Sequence, residues 1–392
     1  MGDPEASGTS PVPSATGVSG GWHAVEELLA VRLDNVGDVV MLGPALRALR
    51  QGLPSARITL MASPAGALVA PLLPWVDSVM VERVVWQDAS GGLALDPDRE
   101  LELVARIADR RFDAALIFTS FSQSPWPPAY ACYLAGVPVR AGQAADFGGS
   151  LLNRVVAATD RETHQVDRNL HLLEGLGFPV VDRRLEVDVP PEAAAVADRL
   201  LGQLGLAPDQ PFVALAPGAS CAARRYPAER FSAVADQLAR ARLPVVVVGR
   251  TGEEDLAGPI LQANGGRGVW SLVGRTGVAE LAAVIARAAV VVANDSGPMH
   301  LADGLERPLV VLFSGTDLES QWRPRRSPTR LLRRPTPCSP CYRFDCPFDL
   351  ACLDIPPEEV VEHVLDLVEA PESIPRPSSV NRSGGLCVGS GS

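Results

Sequence analysis

The sequence predicts an α/β protein of two doubly wound domains, each a parallel sheet covered by helices on both faces, with a cleft between them. Three observations carry this. The chain has 392 residues, about twice the length of a typical single domain. Apolar residues make up 47% of it, enough to fill two cores. Its β-rich apolar runs are continuous rather than alternating, and helical patterns separate them, as in a parallel sheet buried on both sides.

In the first half the spacing predicts a strand over Leu28–Leu33, a helix over Leu42–Gln51, a strand over Arg57–Ala62 and a short helix over Gly66–Leu73. A strand over Val79–Val85, a helix over Glu100–Arg110 and a strand over Ala114–Phe118 follow. The pattern then restarts: strand Phe212–Ala216, helix Glu229–Ala241, strand Pro244–Val248, helix Ala279–Ala288, strand Val290–Ala293, a helix start at Met299–Gly304 and strand Leu309–Phe313. Between the halves, Val187–Gln210 reads as a helix flanked by Pro190, Pro191 and Pro208, and the domain boundary is placed there. The expected division is a disordered tail at 1–23, a first domain at 24–190, a second at 205–355, a C-terminal helix at 356–371 and a second tail at 372–392. Ligands of such sheets bind beyond the carboxyl ends of the strands, here in the cleft.

Composition removes several classes. The net charge of −11 argues against a general nucleic-acid binder. The chain contains no Lys, so neither a P-loop nor a Schiff-base enzyme is available to it. No apolar run reaches the roughly 18 residues of a membrane span; the best, Val284–Ala293, is broken by Arg287. The first 21 residues lack the basic start and apolar stretch of a signal peptide, so a soluble, cytoplasmic protein is expected. Its seven Cys are then expected as thiols or metal ligands rather than disulfides.

Three motifs sit at strand-to-helix junctions. In Arg32-Leu33-Asp34-Asn35-Val36-Gly37-Asp38-Val39-Val40, Gly37 permits close approach of backbone to ligand, and Asp38 opens a helix facing the cleft. Asp38 is either a helix-start carboxylate serving backbone amides or a catalytic base. The second motif runs Ala216-Pro217-Gly218-Ala219-Ser220-Cys221-Ala222-Ala223-Arg224-Arg225-Tyr226-Pro227. It is either a phosphate-binding loop with an Arg to pair with the anion, or a solvated surface loop. The third, Asn294-Asp295-Ser296-Gly297-Pro298-Met299-His300, opens a helix whose free N–H groups suit a diphosphate. Ser296 lacks the Gly-x-Ser-x-Gly elbow of a hydrolase nucleophile, and His300 alone reads as structural more readily than catalytic.

Cys338, Cys341, Cys346 and Cys352 crowd into 15 residues. They could close around a structural zinc, although the intervals are not those of a common zinc ribbon; packed thiols or an adventitious disulfide are the alternatives. Arg323, Arg325, Arg326, Arg330, Arg333 and Arg334 also share one segment. Such a run is usually a solvated face, and it could attract an anionic acceptor or a membrane surface.

The first and third motifs together resemble glycosyltransferase family 9, the ADP-heptose:lipopolysaccharide heptosyltransferases. The match extends to Gly43-Pro44-Ala45-Leu46, to Ala223-Arg224-Arg225-Tyr226-Pro227 with Phe231, to His164-Gln165-Val166-Asp167-Arg168-Asn169-Leu170 and to the Cys-rich stretch. It runs from about residue 28 to 370 in the family's order. The resemblance implies the GT-B fold: two Rossmann-like domains with the active site between them. It implies that Asp38 is the general base, and that Asp295, Ser296, Gly297 and His300 line the nucleotide-sugar site. Ser220 and Glu253 match positions near the phosphates and the nucleoside. Arg224 stands where members commonly carry Lys, which keeps the charge but changes its reach.

The implied partners are a nucleotide-sugar donor and a saccharide or glycolipid acceptor, with no nucleic acid and at most peripheral membrane contact. No metal or redox cofactor is required for the expected transfer. A GT-B nucleotide-sugar epimerase and a noncatalytic nucleotide-sugar binding protein are the rival readings. Product analysis separates the first from a transferase, and turnover separates the second.

Overall fold

The computed structural model describes residues 21–88, 91–264 and 266–369. The first half contains β1 (Glu27–Arg32), α1 (Val36–Val40), α2 (Gly43–Gly52), β2 (Arg57–Ala62), α3 (Pro64–Ala67), β3 (Ser78–Val81) and α4 (Pro97–Asp109). It continues with β4 (Ala114–Ile117), α5 (Trp126–Leu134), β5 (Val139–Ala144), β6 (Arg154–Ala157) and α6 (Gln165–Gly175). After α7 (Pro191–Gln203), the second half contains β7 (Val213–Ala216), α8 (Ala228–Arg240), β8 (Val245–Val247), α9 (Glu254–Asn264), β9 (Val269–Ser271) and α10 (Val278–Arg287). Then come β10 (Val290–Asn294), α11 (Gly297–Gly304), β11 (Leu309–Leu312), α12 (Glu319–Trp322), β12 (Thr329–Leu332) and α13 (Pro357–Glu369).

These strands form two six-stranded sheets, ordered β3-β2-β1-β4-β5-β6 and β12-β11-β10-β7-β8-β9, and every neighbouring pair is parallel. Counted from its own first strand, each sheet has the order 3-2-1-4-5-6, so the second half repeats the topology of the first. Central strands such as Val290–Ala293 and Leu309–Leu312 are completely buried, which is why they read as unbroken apolar runs.

The outer faces of the two sheets have separate apolar clusters, one around Leu29, Met61 and Ile107, the other around Val213, Phe231 and Val292. A third cluster joins the halves, from Leu28, Leu46 and Leu60 through Val187 to Val291, Met299 and Phe313. The segment that crosses is pinned to the first half. Arg47 donates to the carbonyls of Asp182 and Arg184 at 3.2 and 2.7 Å, and Asp188 N donates to Leu72 O at 3.0 Å. Helix α7 follows, with Pro191 in its first turn, and packs on α10. Helix α13 lies on α8, burying Val360, Val364 and Leu367 in the second half's outer cluster.

The structure departs from the expected elements in physical detail. The expected helix over Gly66–Leu73 is split: Ser63 caps α3 by accepting from Gly66 N at 2.9 Å, and Ala70–Leu72 forms a separate 3-10 turn containing Pro71. The strand expected over Val79–Val85 stops at Val81, opposite Ala62 where its partner β2 ends; Glu82 beyond it meets the Arg106 guanidinium at 2.7 Å. The expected tail at 1–23 is too long by its last residues. Trp22–Ala24 forms a 3-10 turn, and the Trp22 indole donates to Leu176 O at 2.9 Å. The rest of that tail, 1–20, and the tail expected at 372–392 lie outside the described residues. Among the described residues no helix is long and apolar enough to cross a membrane.

Candidate active site

All the motif loops emerge at the carboxyl ends of strands one and four of their sheets, the pair that flanks the reversal of strand order, where ligands of such folds bind. From the first sheet come the loop after β1, with Asp38, and the loop after β4, with Ser120 and Gln123. From the second come the loop after β7, with Arg224, and the loop after β10, with Asp295 to His300.

Asp38 is the third residue of α1, and its Oδ2 accepts from Asn35 N at 3.3 Å. It therefore serves the helix start as the plainer reading expects. Its Oδ1 has a second partner: the Arg32 guanidinium donates through Nη2 at 2.9 Å, and the same nitrogen donates to Ser120 Oγ at 2.8 Å. Arg32 ends β1 with no exposed surface, and its Nε lies 3.0 Å from Asp34 Oδ2. Asp34 Oδ1 accepts from Gln87 at 2.7 Å and from Gln123. Burial pushes the Asp34 carboxyl up to about 6; Arg32 and the two amides oppose the rise and Asp38 adds to it.

In the second half Arg224 closes the short 3-10 turn after β7. It donates to Thr316 Oγ1 at 3.1 Å and to Asp317, with Asp295 at 3.9 Å. Burial penalises its charge, but Asp295 and Asp317 outweigh that and hold it firmly protonated. Asp295 is 3% exposed, and burial lifts its carboxyl to about 6 against the pull of Arg224. Asn294 binds the two loops together: it accepts from Tyr226 N at 3.0 Å and donates to Pro217 O at 2.8 Å. Ser296 is the N-cap of α11 and leaves the helix amides uncapped by its side chain. Glu253 accepts from the Arg250 backbone and side chain, both at 3.1 Å, and lies against Gly218. Ser220 is exposed on the same loop and the structure brings it to none of these groups.

The N-termini of α1 and α11 meet, which brings Asp38 to the Arg224 and Asp295 side. The contact depends on two glycines. A methyl on Gly37 would lie 2.6 Å from the His300 ring, and one on Gly297 would lie 3.1 Å from the Val36 side chain. His300 is the packing partner of Gly37. Burial lowers its imidazole to about 3, so it is neutral and unsuited to take a proton and hold it near pH 7.

A cavity of about 580 Å³ opens beside this junction, lined by both halves. Its wall includes Ser120, Gln123, Arg168 and Trp322, with Asp317 and Tyr342. Arg168 is 5% exposed; its guanidinium bonds only to Thr119 and Thr159 and lies 4.7 Å from the Phe121 ring centroid. Among the described residues no carboxylate pairs with it, and burial together with Arg32 lowers it to about 10. Among the described residues it is a buried cation with no counter-ion, and it faces a cavity.

The Cys-rich segment is a brace for this site. Cys341 N donates to Gly315 O at 3.0 Å, Tyr342 N to Thr316 O at 2.8 Å, and Ala223 N to Phe344 O at 2.9 Å. It thereby supports both Arg224 and its partner Asp317. Cys338, Cys341, Cys346 and Cys352 are unpaired thiols, and among the described residues no three His, Cys, Asp or Glu side chains are arranged to hold a metal. The Arg run is only in part the solvated face its composition predicts: Arg323, Arg325 and Arg330 are exposed, and several of the run are held in contacts. Arg325 pairs with Asp167 at 3.1 Å, Arg326 donates to Leu185 O at 3.0 Å and pairs with Glu306, and Arg334 pairs with Glu359. The Asp303 carboxylate accepts from the backbone of Arg325, Arg326 and Ser327 at 2.8 to 3.0 Å. The segment clasps the second half to the first.

Arg32, Asp34, Ser120 and Arg168 were not singled out by sequence reasoning. Arg32 and Asp34 lie in the leader, where a strand-end Arg beside an Asp was a detectable signal; Ser120 carries none.

The family model of glycosyltransferase family 9 (heptosyltransferase) matches residues 101–351. Lipopolysaccharide heptosyltransferase 2 of Escherichia coli K12 is 27% identical over 355 residues, 86% of this chain and 97% of that protein. Lipopolysaccharide heptosyltransferase 3 of Escherichia coli is 31% identical over 161 residues, 41% of this chain. Among solved structures, the Escherichia coli ADP-heptose lipopolysaccharide heptosyltransferase II superposes with a TM-score of 0.70 at 23% identity, covering 88% of this chain and all of that one. A family 9 glycosyltransferase of Veillonella parvula gives 0.71 at 19%, covering 88% and 97%. With two sheets of one Rossmann-like order, motif loops gathered at their junction and a family match over most of its length, this chain is a GT-B glycosyltransferase and belongs to glycosyltransferase family 9.

Proposed function

We propose that the protein moves a heptose from ADP-heptose to a hydroxyl of a saccharide acceptor, the lipopolysaccharide core or another glycan. One observation supports it most: a carboxylate from one half, Asp38, and an Arg beside a free helix N-terminus from the other, Arg224 and α11, face each other beside a cavity. The curated relatives act on the same chemistry by name.

In this reading the acceptor hydroxyl oxygen attacks the anomeric carbon of the donor. The bond from that carbon to the diphosphate oxygen breaks, and its electron pair leaves with the diphosphate. Asp38 takes the hydroxyl proton as the new bond forms. The growing charge on the diphosphate is met by Arg224 and by the N–H groups of α11. Ser296 and Gly297 line that N-terminus, and Glu253, packed against Gly218 of the neighbouring loop, is read as serving the nucleoside. The donor is thus held mainly by the second half, and the base comes from the first. The cavity takes the acceptor, and the uncompensated Arg168 suits an acceptor bearing a carboxylate or phosphate.

A donor screen scored by nucleoside diphosphate release, run with and without candidate acceptors, tests the reading. Acceptor-dependent release from ADP-heptose is the expected result. Release that ignores every acceptor, or a free isomerised sugar as product, would refute it.

A further inference from the structure

We propose that Arg32 is the positioning residue of this active site: its buried guanidinium fixes Asp38 in register with the cavity wall, beside a second carboxylate, Asp34. This rests on the reading of Asp38 as the base.

The guanidinium hydrogen-bonds through one nitrogen, Nη2, and meets Asp34 as an ion pair on its Nε side. Nε faces Asp34 at 3.0 Å, and Nη2 serves Asp38 at 2.9 Å and Ser120 at 2.8 Å. The planar guanidinium sets these directions rigidly, which a flexible ammonium does not. The chain of contacts continues into the cavity. Asp34 accepts from Gln123, the Gln123 carbonyl oxygen accepts from Ser120 N at 2.8 Å, and Ser120 and Gln123 both line the cavity. The wall against which the acceptor would lie and the base that would deprotonate it are therefore joined through one side chain.

A structural role alone explains this less well. Buried ion pairs contribute little net stability against well-packed apolar residues. Leu29 and Val31 in the same strand are already buried without polar partners. Placing a guanidinium here costs desolvation, and what it provides is alignment of two carboxylates and a hydroxyl. The charged and titratable groups facing Asp38 are Arg32 and Asp34 from its own half, with Arg224 and Asp295 across the junction; His300 packs on the adjacent Gly37. Arg32 is the one cation among them that touches Asp38. Without it, Asp34 and Asp38 repel, and protonation of either becomes easier.

The test compares Arg32→Met, Arg32→Lys, Asp38→Asn and the wild type in the full-length protein. Melting curves and ADP affinity report folding and the donor side, and the pH profile of kcat reports the base. Arg32→Met is expected to bind ADP as the wild type does, to lose kcat on the order of 100-fold, and to move the acid limb of the profile up by about one pH unit. Arg32→Lys is expected to recover part of both. A purely structural Arg would lower the melting temperature without moving the limb. If Arg32→Met does not fold, Arg32→Lys decides, since it keeps the charge and loses the fork. Wild-type kcat and an unmoved limb in the folded Arg32 variants would overturn the proposal. The two readings fail separately. A fully active Asp38→Asn removes the base, whereas an inactive Asp38→Asn beside fully active Arg32 variants removes only the role of Arg32.

Discussion

Replacing Gly37 by Ala should weaken the protein and, more strongly, its chemistry. The new methyl would stand 2.6 Å from His300 Cδ2 and 3.3 Å from Nε2. His300 is 5% exposed and is the fourth residue of α11, so its ring has little open space to enter. Relief must come from separating α1 from α11. Overpacking of this kind costs about 1–3 kcal/mol, and the helix-forming advantage of Ala over Gly returns at most about 1. A net loss of about 1–2 kcal/mol follows, a fall of a few degrees in melting temperature for a protein of this size. The catalytic consequence is larger, because Asp38 is the next residue and moves with α1. A displacement of about 1 Å at a reacting group can cost on the order of 100-fold in rate. Thermal melting and steady-state kcat with the sugar nucleotide would measure both effects. In the double variant Gly37→Ala, His300→Ala the methyl has room, so the two losses should be far from additive. Additive losses, or a Gly37→Ala protein with wild-type kcat, would show that the two helix starts do not depend on this contact.

Three further outcomes are expected. Arg224→Ala should weaken ADP binding about 10- to 100-fold, the range for a lost charge-assisted hydrogen bond, measured by calorimetry; unchanged affinity would move the diphosphate elsewhere. The Asp295 carboxyl binds its proton more tightly folded, at about 6, than unfolded, at 3.8, so this group makes the fold less stable as pH rises between those values. Asp295→Asn should therefore gain up to about 3 kcal/mol over the wild type in urea melts at pH 8, less whatever Arg224 attraction is lost, and little or nothing at pH 4. Metal analysis of protein purified without a metal-binding tag should find well below one zinc per chain and freely titrating thiols at Cys338, Cys341, Cys346 and Cys352; one zinc per chain would mean that the sulfurs converge as the spacing alone allows.

The sequence made the central strands plain and the edges obscure, for a physical reason. β1, β7, β10 and β11 are buried on both faces and are apolar except at their ends, where β1 carries Glu27 and Arg32 and β10 carries Asn294. β6 and β9 are sheet edges, and β12 is an edge hidden inside the Arg run. β5 was missed because its sequence, Val139 to Ala144, carries Arg140, Gly142 and Gln143. Those polar side chains are buried but bonded: Arg140 to the carbonyls of Val137 and Leu151, Gln143 to Arg168 O. Periodicity records burial of apolar atoms and is blind to burial that hydrogen bonds make tolerable. The same blindness explains the site. Asp38, Arg224, Asp295 and His300 stand at strand-to-helix junctions that the pattern located. Their partners Ser120, Thr316 and Asp317 come from loops about 80 to 90 residues away in sequence, with no local signature.

The repetition of topology accounts for the way the site is divided. Each sheet alone offers an anion-binding helix start at its point of strand reversal, and each alone leaves that crevice open to water. Setting the two crevices against each other gives opposed functions to equivalent places. In the first half the position carries Asp38, a carboxylate paired with the buried Arg32. In the second it carries Arg224, a cation already satisfied by Asp317 and Asp295. The two halves are thus electrostatically unlike although topologically alike. In the proposed reading the diphosphate lies on the α11 start, since the α1 start is occupied by the Asp38 carboxylate itself. On that reading the occupation assigns the donor to the second half, and Gly37 against His300 holds the two helix starts together beside the cavity.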